Sequence, residues 1–275
     1  MTKSIDPVQA TWYSSAVKVA YQNAAILRPH VRTESNVVGG TAEFPRITRG
    51  MARAHVPASD RVPMNVTYGK SVATMQAWSA AQWADSIEKT RVAFDEIPPL
   101  SEVIGGAIAR RMDQVIVDAM VASFGTPTIA DGGTGMTDAK LRQIARLFDT
   151  RAVPRGSRKL VVSAKVYDDI RSLAIAQNRD FGETAVGRTG VVPTIYGLDI
   201  LMMDDAREEG GLPINAGVRQ GFAFDSAAVG LAINTESSLE INWVPIRAAW
   251  LLEQRFSAGA CVIDADGVIR VDCTE

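Results

Sequence analysis

The chain has 275 residues, is 47% hydrophobic and 22% charged, and carries a formal net charge of −2. This is enough apolar mass for one large domain or two modest ones, and it excludes a global basic field for grasping nucleic acid. No apolar run approaches the roughly 20 residues of a membrane span, and the N-terminal stretch MTKSIDPVQATWYSSAVKVAYQN lacks the apolar core of a signal peptide, so a cytoplasmic product with no membrane partner is expected.

Residues 1–36 read as an arm. YSSAVKVAYQNAAILRP has some helical periodicity, but Pro29 ends it and little apolar mass follows. Residues 37–80 change character: Gly39-Gly40, Pro45, Pro57 and Pro63 interrupt short alternating runs such as AEFPRIT and MNVTYGKSVAT. That pattern predicts two extended strands joined by an irregular tip, a long hairpin without its own core. Such a hairpin is marginal alone and must lie on something. Residues 81–97, AQWADSIEKTRVAFDEI, are predicted helical, and Pro98-Pro99 separates them from the next element.

The strongest periodic signal is LSEVIGGAIARRMDQVIVDAMVASFG. Ile104, Ile108, Met112, Val115, Ile116, Ala119 and Met120 fall on one face at three- and four-residue steps, with Arg110, Arg111, Asp113 and Asp118 off it. Ser101 is the expected start cap and Gly125 the stop. A helix of roughly 24 residues spans about 36 Å, long for a globular domain. TPTIADGGTGM (126–136) reads as a flexible loop. TDAKLRQIARLFDTRAV then reads as an amphipathic helix capped by Thr137 or Asp138, RKLVVSAK as a strand and AKVYDDIRSLAIAQ as a helix. RDFGETAVGRTGVVPTIYG is a glycine-rich loop, LDILMMDD a buried strand and AREEGGLPINAGVRQ surface. GFAFDSAAVGLAIN begins as a strand and is expected to turn helical or irregular. SLEINWVPI, AAWLLEQRF, ACVID and VIRV supply closing strands.

The end of the chain, RFSAGACVIDADGVIRVDCTE, tests two readings. With Asp264 as position 1 of a calcium loop, Asp266 and Glu275 fall at positions 3 and 12, but Val268 and Ile269 occupy the fifth and sixth positions, which need an oxygen ligand and a glycine. Asp266-Gly267 between alternating apolar runs predicts a hairpin instead. In that hairpin Cys261 faces Asp272, not Cys273, so no disulfide is expected. Two cysteines and two distant histidines, His30 and His55, are too few for a zinc site.

Other chemistry is sparse. There is no Walker A sequence, no His-Glu-x-x-His and no Gly-x-Ser-x-Gly. Asp204, Asp205, Glu208 and Glu209 could hold a divalent cation, but a solvated acidic loop is the plainer reading. Of the 29 basic residues only seven are lysine, and arginine is the cation favoured at protein–protein contacts.

What is distinctive is the order of the pieces, and it resembles the major capsid proteins of tailed bacteriophages, the Hong Kong 97-type capsid fold, over nearly the whole chain. GGTAEFPRITRGMARAHVP looks like the family's extended loop. PLSEVIGGAIARRMDQVIVDAM looks like its spine helix, with Arg110-Arg111-Met112-Asp113 near the middle. YGLDILMMDD looks like a strand of its axial domain, and RAAWLLEQRFSAGACVIDADGVIRV like its closing strands and final hairpin. The resemblance implies an α+β fold: an N-terminal arm (1–36), an extended loop or long β-hairpin (37–80), a peripheral domain (81–124 and 236–275) with the spine helix at about 100–123, the closing strands and a C-terminal hairpin, and an α/β axial domain (125–235). It implies a structural subunit, not an enzyme. Such a subunit assembles with itself into the hexamers and pentamers of an icosahedral shell enclosing double-stranded DNA, and meets scaffolding, portal and decoration proteins where the family uses them. It is made in the host bacterial cytoplasm and ends in the virion. An encapsulin-like compartment shell is the alternative within the fold, and a small metal-dependent α/β enzyme the alternative outside it. No catalytic, cofactor or metal residues are expected. The family's lysine crosslink is not expected either, because the only loop lysine, Lys70, lies at the loop's base.

Charge suggests how subunits meet. Residues 37–80 hold Arg46, Arg49, Arg53, Arg61 and Lys70 against Glu43 and Asp60, net +3. Residues 81–100 hold Asp85, Glu88, Asp95 and Glu96 against Lys89 and Arg91, net −2. The expectation is that Arg46, Arg49, Arg53 and Arg61 of one subunit lie over Glu88, Asp95 and Glu96 or the spine of the next. Such pairs set register and salt sensitivity more than affinity.

Overall fold

The computed structural model describes residues 25–55, 57, 60, 63–85, 96–173, 176, 190–192, 194–203, 211–236 and 238–275. The strands are β1 (Arg32–Ser35), β2 (Thr41–Ile47), β3 (Tyr68–Thr74), β4 (Gln76–Asp85), β5 (Arg158–Ser163), β6 (Asp199–Met203), β7 (Ile214–Asn215), β8 (Val218–Asp225), β9 (Val229–Glu236), β10 (Glu240–Val244), β11 (Ala249–Val262) and β12 (Val268–Thr274). The helices are α1 (Ile97–Ser123), α2 (Asp138–Thr150) and α3 (Ala164–Ser172).

The described strands form three sheets. The first runs β1-β9-β11-β10, with β4 on the other side of β11; the second runs β12-β8-β5-β6, with β7 on β8; β2 and β3 make a hairpin. The spine helix α1 lies between the first two. Ile108, Met112, Ile116, Val117 and Met120 share one core with Val229, Leu231, Ile233, Phe256 and Ala258 of the first sheet and Val161, Phe222, Phe224 and Val268 of the second. A second core covers the other face of the second sheet. Leu141, Ile144 and Phe148 of α2 and Val166, Tyr167 and Ile170 of α3 pack there on Leu160, Val162, Ala223, Ile269 and Val271. Strands β5 and β8 are therefore apolar on both faces, which explains their unbroken hydrophobic runs.

The spine helix starts earlier than its cap residue suggested. Pro98 and Pro99 occupy its first turn, where missing amides cost nothing, and Ser101 lies inside it, its hydroxyl donating to the Pro98 carbonyl at 2.6 Å. Thr137 does cap α2, accepting from the Lys140 amide.

Several expectations are corrected. The helix predicted from residue 81 is the end of strand β4, which pairs over ten residues with β11, from Gln76↔Ala258 to Asp85↔Ala249. Ala and Gln favour helix, but cross-strand packing of Trp78 opposite Phe256 outweighs intrinsic propensity. Residues 86–95 of that stretch lie outside the described residues. The segment expected to turn helical after Asp225 is strand β9, joined to β8 by three residues.

The predicted C-terminal hairpin is not formed. β11 stays in the first sheet while β12 pairs with β8 in the second. A two-residue hairpin loop of the Asp-Gly type needs positive φ at both central residues, and neither Asp266 nor Gly267 has it. Residues 265–267 form a 3₁₀ turn in which Asp264 accepts from the Asp266 amide at 3.2 Å. Gly267 is needed there because a Cβ would stand 2.4 Å from the Ala228 side chain. The Ala228 carbonyl accepts from the amides of Ile263 (2.8 Å) and Asp264 (3.2 Å), so β8→β9 and β11→β12 cross between the sheets side by side.

The loop at 126–136 is tied down. The Ile129 amide donates to the Arg270 carbonyl of β12 and its carbonyl accepts from the Asp272 amide, each at 3.0 Å, and the buried Lys140 ammonium donates to the carbonyls of Asp131 (2.8 Å), Thr134 (2.9 Å), Gly135 (3.0 Å) and Asp272 (3.2 Å).

The β2–β3 hairpin leaves the first sheet from a seat of small residues. Phe44, Ala42 and Ala73 pack on Ala232 and Ile263, and the Thr74 carbonyl lies against Gly259. A Cβ on Gly259 would stand 2.3 Å from that oxygen. Gly259→Ala is expected to destabilise the fold by about 1–3 kcal/mol, lowering the unfolding temperature by several degrees. Gly40→Ala, where a Cβ meets nothing, should leave it almost unchanged in the same thermal scan.

Candidate self-assembly surfaces

The chain's polar groups hold its own elements in place. Asp113, read from sequence as off the helix stripe, is fully buried. Its carboxylate accepts from the amides of Ile26 (2.7 Å) and Leu27 (3.0 Å), fixing the end of the arm to the middle of the spine helix. Leu27 is buried beside it, Arg28 grips Glu236 with two bonds of 2.9 and 2.8 Å, and β1 pairs parallel with β9. At the far end of α1, Arg270 of β12 donates to the carbonyls of Phe124 and Gly125, each at 3.0 Å, while Asp272 holds the guanidinium with two 2.9 Å bonds.

Arg158 is buried over the Phe148 ring and bonds Asp149 at 2.7 Å. Arg158 and then Arg155 hold the Asp149 carboxyl below its usual range. The Glu275 carboxylate is bound by Arg219 at 2.8 Å and by the Ser163 hydroxyl. Both cysteines are reduced and separated into different sheets, and burial pushes each thiol up to about 11. No group of three or more His, Cys, Asp or Glu side chains able to hold a metal ion occurs among the described residues. The acidic run 204–209 lies outside them, and no described helix is long and apolar enough to cross a membrane.

The predicted inter-subunit residues divide. Arg46 sits on β2 and pairs with Asp264 at 3.4 Å, both about half exposed. Arg49 donates to the Arg151 carbonyl. Arg53 is exposed on the loop, and Arg61 lies outside the described residues. Glu96 is the residue before α1, its carbonyl accepting from Leu100 at 3.1 Å; Glu88 and Asp95 lie outside the described residues. Arg46 and Arg49 therefore bond other partners than Glu96 within the chain. Lys70 bonds Glu43 across the hairpin.

Among the described residues, exposed apolar side chains include two groups. On the hairpin, Ile47 (60%), Met51 (84%) and Tyr68 (75%) are exposed. At the far end of the first sheet, Ile246 is 97% exposed beside the half-exposed Trp243, which packs on Trp250 at 5.2 Å, and Arg247 lies over Trp83 at 4.7 Å. Sequence reasoning found the first patch through its prolines. It missed the second, because SLEINWVPI reads as an ordinary strand.

Polar groups engaged in internal anchoring, with apolar groups facing outward, are features of a structural building block rather than of a catalytic site. The chain belongs to the phage capsid protein family, whose family model matches residues 5–275. Its fold is similar to that of the capsid of cyanophage P-SCSP1u (TM-score 0.76, 16% identity, covering 98% of this chain and 94% of that one). It is likewise similar to Mycobacterium phage Che8 (0.73, 17%, 98% and 98%) and to the capsid of a native GTA particle (0.70, 15%, 99% and 96%). No curated protein matches it in sequence. The α+β architecture is thus the Hong Kong 97-type capsid fold, and the chain is a major capsid protein, structural and not enzymatic, and a component of the virion.

Two outcomes follow from the anchored arm. Asp113→Ala strands two amides beside a buried helix, which should cost about 2–4 kcal/mol and speed hydrogen exchange at Ile26 and Leu27, with Asp113→Asn intermediate. His30 has its pKa lowered, first by burial and then by the Lys159 ammonium, with Asp199 opposing. A lowered histidine favours the neutral form in the fold, so its contribution is present above the ordinary value near 6.5 and declines as pH falls below it. His30→Asn should flatten that limb of a stability–pH curve.

Proposed function

We propose that the chain builds the hexamers and pentamers of an icosahedral shell that encloses double-stranded DNA, assembled in the host bacterial cytoplasm and joined there by scaffolding, portal and decoration proteins. The observation that carries this is the hairpin. Its base is seated in its own chain, while Ile47, Met51 and Tyr68 beyond the base stay exposed. A projecting strand pair with uncovered apolar residues is stable only when a neighbour covers it.

In this reading the arginines Arg46, Arg49, Arg53 and Arg61 of one subunit run toward Glu88, Asp95 and Glu96 of the next. Arg46 and Arg49 exchange the acceptors they have in their own chain for those of a neighbour, so the net energy is small and register is the main gain. The shell holds DNA without gripping it: with a net charge of −2 and no basic stripe, few counterions are released on binding, and affinity for free duplex at physiological salt should be weaker than roughly micromolar.

Negative-stain microscopy of the purified protein is the direct test. Shells or capsomers are expected, and a stable monomer under all conditions would remove the proposal. Deleting residues 45–62 should leave a folded chain that forms no shells. Arg49→Glu with Arg53→Glu should impair assembly, with partial rescue by Glu96→Lys or Glu88→Lys. Failure of every acidic partner to rescue would refute this docking while leaving the shell itself intact.

A further inference from the structure

Among the described residues, β4 and β3 each have an edge without a partner strand. β4 is ten residues long and pairs only with β11; among the described residues no strand lies along its other side. Its sequence, QAWSAAQWAD, has no lysine, proline or glycine, and its sole charge is the terminal Asp85. Trp78, Ala80 and Ala84 turn toward the spine-helix side, while Ala77, Ser79 and Ala81 are exposed. Natural proteins blunt such edges with charge, proline, bulges or a covering element.

The second edge belongs to the hairpin. Met75 N donates to Gly40 O at 2.9 Å and Thr48 N to Thr67 O at 3.0 Å. With the pairing Thr41↔Thr74 through Ile47↔Tyr68, the hydrogen-bonded pairs therefore involve even-numbered residues of β2 and odd-numbered residues of β3. The amides of Tyr68, Lys70 and Val72 point away from β2. On β2 the outward positions are Thr41, Glu43, Pro45 and Ile47, and Pro45 has no N–H. One edge of the hairpin is thus closed by proline and the other, on β3, is open.

The two open edges cannot satisfy each other within one chain. β3 ends at Thr74 and β4 begins at Gln76, and a single residue is too short to fold one strand back on the next. We propose that β3 of one subunit adds to the free edge of β4 in another copy of this chain, extending the neighbour's first sheet through main-chain bonds from Tyr68, Lys70 and Val72. Lys70, and Arg49 near the same end of the hairpin, match the only charge on β4, Asp85. Main-chain pairing supplies the contact and alternate side chains its register. This rests on the capsid reading, and it commits the hairpin to a strand edge where charge alone offers several acidic sites.

The test uses proline on each hairpin edge in the full-length protein. Val72→Pro removes an outward amide from β3; Glu43→Pro does the same on β2, the edge Pro45 already interrupts. With circular dichroism and melting close to wild type, Val72→Pro should lower particle yield at least tenfold and Glu43→Pro should stay within twofold. Normal particles from Val72→Pro, or equal failure of both variants, would overturn the edge assignment. Should Val72→Pro fail to fold, hydrogen exchange on the wild type decides. The amides of Lys70 and Val72 should be at least tenfold slower in particles than in free subunits, and unchanged rates would refute the pairing. Absence of particles from the wild type is the separate result that removes the capsid reading itself.

Discussion

The fold depends on a double crossing. At 226–228 and again at 263–267 the chain passes from one sheet to the other, and the two passages are joined by the Ala228 carbonyl, which receives both Ile263 and Asp264 amides. Because β8 and β12 are paired in one sheet while β9 and β11 are paired in the other, neither sheet can shift without carrying the same strands in its partner. A single crossing would leave a hinge; two, bonded to each other, fix the angle between the sheets. The spine helix then packs against a corner already set, with apolar residues drawn from both sides.

The buried charges act on that frame at its ends. Arg270 meets the carbonyls of Phe124 and Gly125 just past the end of the spine helix, where the negative end of the helix dipole favours a cation, and Asp272 neutralises it within two residues of the same strand. Asp113 does the converse at mid-helix, receiving backbone amides of the arm. In each case a charge removed from water is surrounded by dipoles of opposite sense, the condition under which burial is tolerated. These contacts specify position more than they add net stability. A shell subunit needs that: an error of orientation in one tile is repeated at every symmetry-related contact.

The sequence was legible wherever one local pattern had one partner. The spine helix was recognisable because its apolar stripe is continuous through Met120, and α2 because Thr137 caps an amphipathic run. Legibility failed where partners were distant. AQWAD (81–85) has helix-forming residues and is a strand because β11 pairs with it. ACVIDADGVIRV carries a hairpin's local signature, and nothing within those residues shows that β8 and β9 draw its two halves into different sheets. Asp113 seemed to belong to the solvent side because its partners, two main-chain amides 86 and 87 residues away, leave no trace in side-chain identity. Of the site residues, the loop arginines were visible as composition, whereas their own-chain acceptors, the Asp264 carboxylate and the Arg151 carbonyl, were not.

That asymmetry extends to assembly. A charge cluster announces itself in a sequence but contributes little at an exposed rim, where solvent and salt screen it. A strand edge is invisible by composition, since its bonding groups are present in every residue, yet it offers a row of directional bonds with a fixed spacing. In this chain Arg46, Arg49 and Lys70 of the hairpin are already engaged by acceptors of their own chain, so exchanging these for a neighbour's is close to neutral. The outward amides of β3 gain directed partners by pairing, and they lie on the one hairpin edge that proline leaves open. On the proposed pairing, the physical weight of the contact between subunits falls on the backbone, and the arginines around it select the register in which the backbones meet.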